Sequence, residues 1–114
     1  MSIQTRLQAG TATSEEVLVA AGAIHKSEDH RFRYDPRIEL PNGNRLKKQT
    51  FTITSLDDAV DLFKARLPGW RATISTNGHA ECYPPDVEVM FSGLAKGRPA
   101  TALLIAMFNA MGVE

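Results

Sequence analysis

Few side chains in this sequence could do chemistry alone, so the question is which of them stand close enough to act together. His79 and Cys82 are three residues apart, and an imidazole beside a thiolate is a nucleophile pair. On a strand, residues three apart point to opposite faces, so the pair is expected to be split, with His79 at a turn and Cys82 in the core. The same split opposes a metal site there. His25 and His30 lie in a charged stretch without the dense ligand cluster that zinc requires, so neither a metal nor a cofactor is expected. Asp57, Asp58 and Asp61 could hold a cation or serve as acid and base. Carboxylates in the first turn of a helix are better explained by the helix dipole and capping, and these three are expected on a solvated face.

Two further groups suit binding better than catalysis. Tyr83, followed by Pro84-Pro85 and Asp86, sets an aromatic ring beside two stiff residues at a strand end, and Tyr83, Pro85 and Asp86 are candidate contacts for a ligand or partner. From His25 to Thr50, seven cations stand against four acids. Arg31, Arg33, Arg37, Arg45, Lys47 and Lys48 could meet phosphates there while Phe32 or Tyr34 stacks on bases, although the interspersed acids favour a solvated mixed-charge surface. There is no glycine-rich phosphate loop, nucleophile elbow or zinc-protease helix. An enzyme is therefore the least supported class, with Tyr83, Asp86 and His79 its first suspects.

The elements that position these residues follow from periodicity. Ile3 and Leu7 make one apolar pair of helical spacing. Ser14-Glu15-Glu16 followed by Val17, Leu18, Ala20 and Ala21 predicts a short capped helix ended by Gly22. The charged stretch carries alternation around Phe32 and Tyr34 and turn chemistry at Pro41-Asn42-Gly43-Asn44, which predicts a long, partly exposed hairpin or ordered loop. Ser55 with Asp58 three residues on predicts the cap of a middle helix through Leu67, ended by Pro68-Gly69. Trp70, Ala72, Ile74 and Thr76 then alternate with Arg71, Thr73 and Ser75, with Trp70 as a core anchor, and Asn77-Gly78 makes a tight turn into a second strand. Pro84-Pro85 interrupts that strand, a third is expected over Val87 to Phe91, and Gly93 and Gly97 flank a loop. Pro99 opens a closing helix through Met111 that is apolar nearly all round. The expected fold class is α+β, a mainly antiparallel sheet with packed helices, in one domain of 114 residues.

Composition narrows the function classes. Thirteen Lys and Arg balance thirteen Asp and Glu, so no global field attracts nucleic acid or an anionic membrane. The single cysteine excludes an intrachain disulfide and fits a reducing compartment. No apolar run approaches the ~20 residues needed to span a bilayer, and no signal peptide is visible, so a cytoplasmic location is expected.

The segments TSLDDAV at 54–60, LPGW at 67–70, AECYPPD at 80–86 and ATALLIAMFNA at 100–110, together with RLQAG and the acidic Ser14-Glu15-Glu16, resemble the phage ABA (alpha/beta/alpha) sandwich domain family, small phage and prophage proteins without a general assigned activity. About two-thirds of the chain is covered. The departures are Arg98-Pro99-Ala100-Thr101 at the entry to the closing helix and the charged segment 25–50. The resemblance implies a sandwich fold and a phage origin in the cytosol of a host cell, and it assigns no catalytic residue.

The expected function is that of a non-enzymatic accessory protein binding a host protein or small-molecule signal, as a counter-defence inhibitor or a nucleotide-signal sponge. Nucleic-acid binding through the basic segment and a small nucleotide-acting enzyme are the alternatives. A homodimer is also expected. With Leu103, Leu104, Met107, Phe108 and Met111 on the sheet, Thr101, Ile105 and Asn109 would face outward, and Ile105 with the alanines at 102, 106 and 110 would admit a second helix, or the third strand would offer a pairing edge.

Overall fold

A computed structural model describes residues 2–30, 33–47 and 50–112, and the side chains of these residues except 24–30 and 33–37. Helix α1 (Ile3–Ala9) buries the pair Ile3 and Leu7, and its N-cap is Ser2, whose hydroxyl accepts from the Thr5 N–H. Helix α2 (Ser14–Ala20) starts at a reciprocal cap between Thr13 and Glu16, and Arg6 of α1 pairs with the same Glu16 carboxylate. Strands β1 (Ile24–His30) and β2 (Arg33–Glu39) form an antiparallel hairpin whose register runs from Ile24 opposite Glu39 to His30 opposite Arg33. The turn at 41–44 folds back on β2 through a single bridge between Glu39 and Arg45, and fully buried Ile38 anchors the base of the hairpin.

Helix α3 (Leu56–Arg66) begins at Ser55, whose hydroxyl accepts from the Asp58 N–H, as its spacing predicts. The acidic face is not wholly solvated. Asp58 is buried and its carboxylate accepts from the Thr52 N–H at 2.8 Å, Asp61 accepts from the Lys47 N–H at 2.9 Å, and Asp57 alone of the three is exposed. These carboxylates terminate backbone donors in the incoming loop, so the expectation of one exposed acidic face is corrected for Asp58.

Strands β3 (Arg71–Ser75), β4 (His79–Tyr83) and β5 (Phe91–Leu94) make a second antiparallel sheet in the order β3-β4-β5. The β3–β4 loop closes at Gly78, whose φ of 96° and whose approach to the Ala95 carbonyl leave no room for a side chain. The third strand does not lie over Val87 to Phe91. It starts at Phe91, because the position opposite Ala80 has to pass beneath the closing helix and Gly93, which has no side chain, occupies it. Gly93 is thus inside β5 rather than at the edge of a loop.

Helix α4 (Pro99–Met111) has the predicted bounds, with proline in its first turn and Gly112 at its end. Its faces are the reverse of expectation. A Cβ on Gly93 would stand 2.2 Å from the Ala102 carbonyl, 2.6 Å from the Ala106 nitrogen and 3.0 Å from the Ile105 Cβ, so Ala102, Ile105 and Ala106 face the sheet. Leu103, Leu104, Met107 and Phe108, on the other side of the helix, are fully buried where α1 and α3 pack. Thr101 and Ile105 are buried as well, and only Asn109 of the three residues expected outside is exposed. The small-residue stripe does admit a close neighbour, and that neighbour is the sheet of the same chain. The class is α+β as expected, with the described layers in the order sheet, α4, then α1 and α3. No helix among the described residues is long and apolar enough to cross a membrane.

Candidate functional site

Alternation on the three strands sorts their side chains onto two faces. Ala80 and Cys82 face α4 and are buried, while His79, Glu81 and Tyr83 on β4 stand with Arg71, Thr73 and Ser75 of β3 and Ser92 of β5 on the face that α4 does not cover. His79 and Cys82 are therefore split, as the strand geometry predicts. The Cys82 Sγ–H donates to the Ala106 carbonyl at 3.5 Å, and burial pushes the thiol up to about 11. A protonated thiol sealed under a helix is no nucleophile at neutral pH.

Two results follow for Cys82. Native protein at neutral pH should resist iodoacetamide, and protein unfolded in urea should take up one adduct by mass, whereas equal rates in the two states would contradict the burial. Because the folded value lies above the ordinary 9.0, the unfolded chain loses its proton first. The thiol's contribution to stability is intact below about pH 9 and is lost as the pH climbs toward 11.

On the uncovered face the Tyr83 hydroxyl donates to Glu81 Oε2 at 2.5 Å, and Glu81 Oε1 lies 3.6 Å from His79 Nε2. The bond to Glu81 raises the phenol above its ordinary value, aided by burial and by the carboxylate's charge, while Thr73 and Arg71 pull it down. The structure thus joins His79 and Tyr83 through Glu81, a residue the sequence reading passed over, although positions 79, 81 and 83 share the period of a strand face. Asp86 takes no part in this row.

Tyr83 is held on the sheet by Glu81, whereas Pro85 and Asp86 are exposed at the start of a segment, 84–90, without regular secondary structure. That segment goes on to expose Val87, Val89 and Met90 at 58%, 43% and 52%, and Leu94 of β5 is exposed as well. Four of the six exposed large hydrophobic residues among those described fall within these eight positions. The segment leads into Phe91, whose ring meets Trp70 at a centroid distance of 6.0 Å, so Trp70 is half-buried against the core where β3 and β5 begin.

Of the basic residues expected to meet nucleic acid, Arg31 and Lys48 lie outside the described residues, as does Phe32, and the side chains of Arg33, Tyr34 and Arg37 lie outside the description. Arg45 and Lys47 are exposed and border an open groove of about 460 Å³ to which α3 contributes Asp61 and Lys64. Lys64 adds a cation that the linear segment did not include, and Asp61 stands among the three. No group of three His, Cys, Asp or Glu side chains among the described residues is arranged to hold a metal ion.

No protein family, no curated protein and no solved structure matches the chain.

Proposed function

We propose that this is a non-enzymatic binding protein of phage or prophage origin whose contact surface for a host protein is the segment from Pro85 to Met90. The observation that carries the reading is the exposed run Val87, Val89 and Met90, set between the stiff Pro84-Pro85 pair and the Trp70–Phe91 contact. Apolar side chains gathered in one stretch of surface cost solvation in the free protein and are a mark of an interaction site. The run is open to solvent along its length, which favours a protein partner over a small-molecule signal. The phage origin rests on the motif resemblance, and the cytosol of a host cell is where such a partner would be met. Nucleic-acid binding has weaker support, because Asp57 and Asp61 stand among Arg45, Lys47 and Lys64. A nucleotide-acting enzyme would rest on the His79–Glu81–Tyr83 row alone.

The test is retention of host-cell proteins on the immobilised native chain and on a Val87→Asp, Met90→Asp double variant. One host protein should be retained by the native chain and its affinity should fall at least tenfold on the variant, as for other buried apolar anchors at interfaces, with the thermal midpoint unchanged because both positions are exposed. Retention by neither protein from any host, or equal retention by both, overturns the proposal.

A further inference from the structure

The three-stranded sheet has two edges, and they differ. On β5 the Asn109 side-chain amide donates to the Ser92 carbonyl at 2.8 Å and the Gln8 amide to the Leu94 carbonyl at 3.5 Å, so α4 and α1 already engage this strand's backbone. On the other edge β3 pairs with β4 and contacts α4, and no further strand among the described residues joins it. Nothing in Arg71-Ala72-Thr73-Ile74-Ser75 protects that edge: it contains no proline, and its one charge is at its end. Ala72 belongs to the face turned toward α4, yet it is exposed, and Ile74 is only half-buried, so α4 leaves this margin of the sheet partly uncovered.

We infer that β3 pairs with β3 of a second copy of this chain, antiparallel about Thr73, to join the two sheets into one of six strands. The hydrogen-bond alternation supplies the register. The Ser75 carbonyl accepts from Gly78 within the β3–β4 turn, which sets Ser75, Thr73 and Arg71 toward β4 and leaves the N–H and C=O groups of Ala72 and Ile74 directed at the open edge. Placing Ala72 opposite Ile74 of the partner subunit, and Ile74 opposite the partner's Ala72, satisfies all four backbone pairs at once. The two-fold axis then passes between the Thr73 residues.

Every facing pair in this register is compatible. Thr73 meets its own copy, a favourable cross-strand pair, and Ala72 and Ile74 cover one another beside α4, which buries the exposed Ala72. Arg71 faces Ser75 of the partner subunit, so no like charges stand opposite. The two-fold axis is perpendicular to the sheet and leaves both helical layers on the same side of it. This dimer is independent of the host-protein surface at 85–90, which belongs to another part of the chain.

Light scattering on the native chain at micromolar concentration should give the mass of a dimer. Ala72→Pro removes a donor that faces outward and leaves the β3–β4 ladder intact, so it should weaken the dimer at least tenfold with little change in thermal midpoint. Thr73→Lys should do the same by setting two ammonium groups against each other on the axis. Thr73→Cys should give a covalent dimer on oxidation, because facing residues without a mutual hydrogen bond have Cα atoms about 4.5 Å apart, within disulfide reach, and the native Cys82 is buried. A native monomer overturns the inference, and so does a dimer that persists in Thr73→Lys and does not cross-link through Thr73→Cys. A Thr73→Cys chain that cross-links only to a different protein overturns it in favour of strand addition by another partner.

Discussion

Ile105→Glu is expected to remove most of the protein's folded stability, with loss of the cooperative urea transition and accumulation of insoluble protein. Ile105 is 7% exposed and its Cβ lies 3.0 Å from where a Gly93 side chain would begin, so a carboxylate there would be held in the helix–sheet layer largely stripped of water. An uncompensated buried charge costs about 3–5 kcal/mol, and the lost apolar burial adds to it. A domain of this size has roughly 5–15 kcal/mol in total. The graded control is Ile105→Ala, which leaves a cavity without a charge and should cost about 2–4 kcal/mol by urea denaturation. The sign of the pH dependence separates the two. Burial raises the folded-state pKa of the introduced glutamate above its ordinary value, so its penalty is smallest below about pH 4 and grows as the pH rises, whereas the alanine variant has no such dependence. A soluble Ile105→Glu protein with native stability and altered mass would show instead that this face of α4 is a subunit contact.

Gly93→Ala carries the second largest expected effect, although it adds a single methyl group. The new carbon would stand 2.2 Å from the Ala102 carbonyl oxygen and 2.6 Å from the Ala106 nitrogen. Both are backbone atoms of α4, so no side-chain rotation relieves the clash and the helix has to lift from the sheet. Lifting it opens the layer in which Ala80, Cys82, Ala102 and Ala106 are buried. Overpacking of this kind typically costs about 3 kcal/mol, which lowers the melting midpoint of a small domain by roughly 15 °C. Circular dichroism melts of Gly93→Ala and of Gly97→Ala provide the comparison. The second variant meets no neighbouring atom and bears only the strain of a positive φ, so its drop should be clearly smaller. Equal drops would mean that the close approach of α4 to β5 does not limit stability.

Both predictions rest on the side of α4 that the sequence reading turned the wrong way. Apolar content on every side of a helix shows that it will be covered all round, and Leu103, Leu104, Met107 and Phe108 look like the face for a sheet because they are large. Which face meets which neighbour depends on how near the neighbour can come. A β-sheet that passes Gly93 under the helix allows the close approach of Ala102 and Ala106, while the large residues fill the wider space toward α1 and α3. The displaced third strand has the same cause. Alternation over Val87 to Phe91 is real, but the register against β4 is set by the one residue that fits beneath α4, and so the strand begins at Phe91 and the preceding apolar residues are left outside. The candidate sites follow suit. Tyr83, Pro85 and Asp86 were legible as a stiff strand end, whereas the link through Glu81 and the apolar run after Asp86 depended on which strand face stayed uncovered and where β5 started.

The division between sequence and tertiary structure is plainest at the helix ends. Each of the first three helices starts at a hydroxyl three residues before the N–H it accepts: Ser2 for α1, Thr13 for α2 and Ser55 for α3. A contact that short is written in the local sequence, and with it come helix starts, apolar periodicity and the alternation of β3 and β4. The carboxy-terminal ends receive donors from far along the chain. Arg98 donates to the carbonyls of Leu7 and Gln8 in α1, Arg66 to that of Ala21 after α2, and the Asn42 and Asn44 amides to that of Ala65 in α3. A carbonyl at a helix end accepts any donor that folding brings to it, so the local sequence has no means of naming the partner. The sequence by itself determined the helices, the strand hairpin, the split of His79 from Cys82 and the balance of charge; only the tertiary structure decided which helix face meets the sheet, which sheet face remains open and which strand edge is left unpaired, because each of these depends on how closely two distant segments can pack.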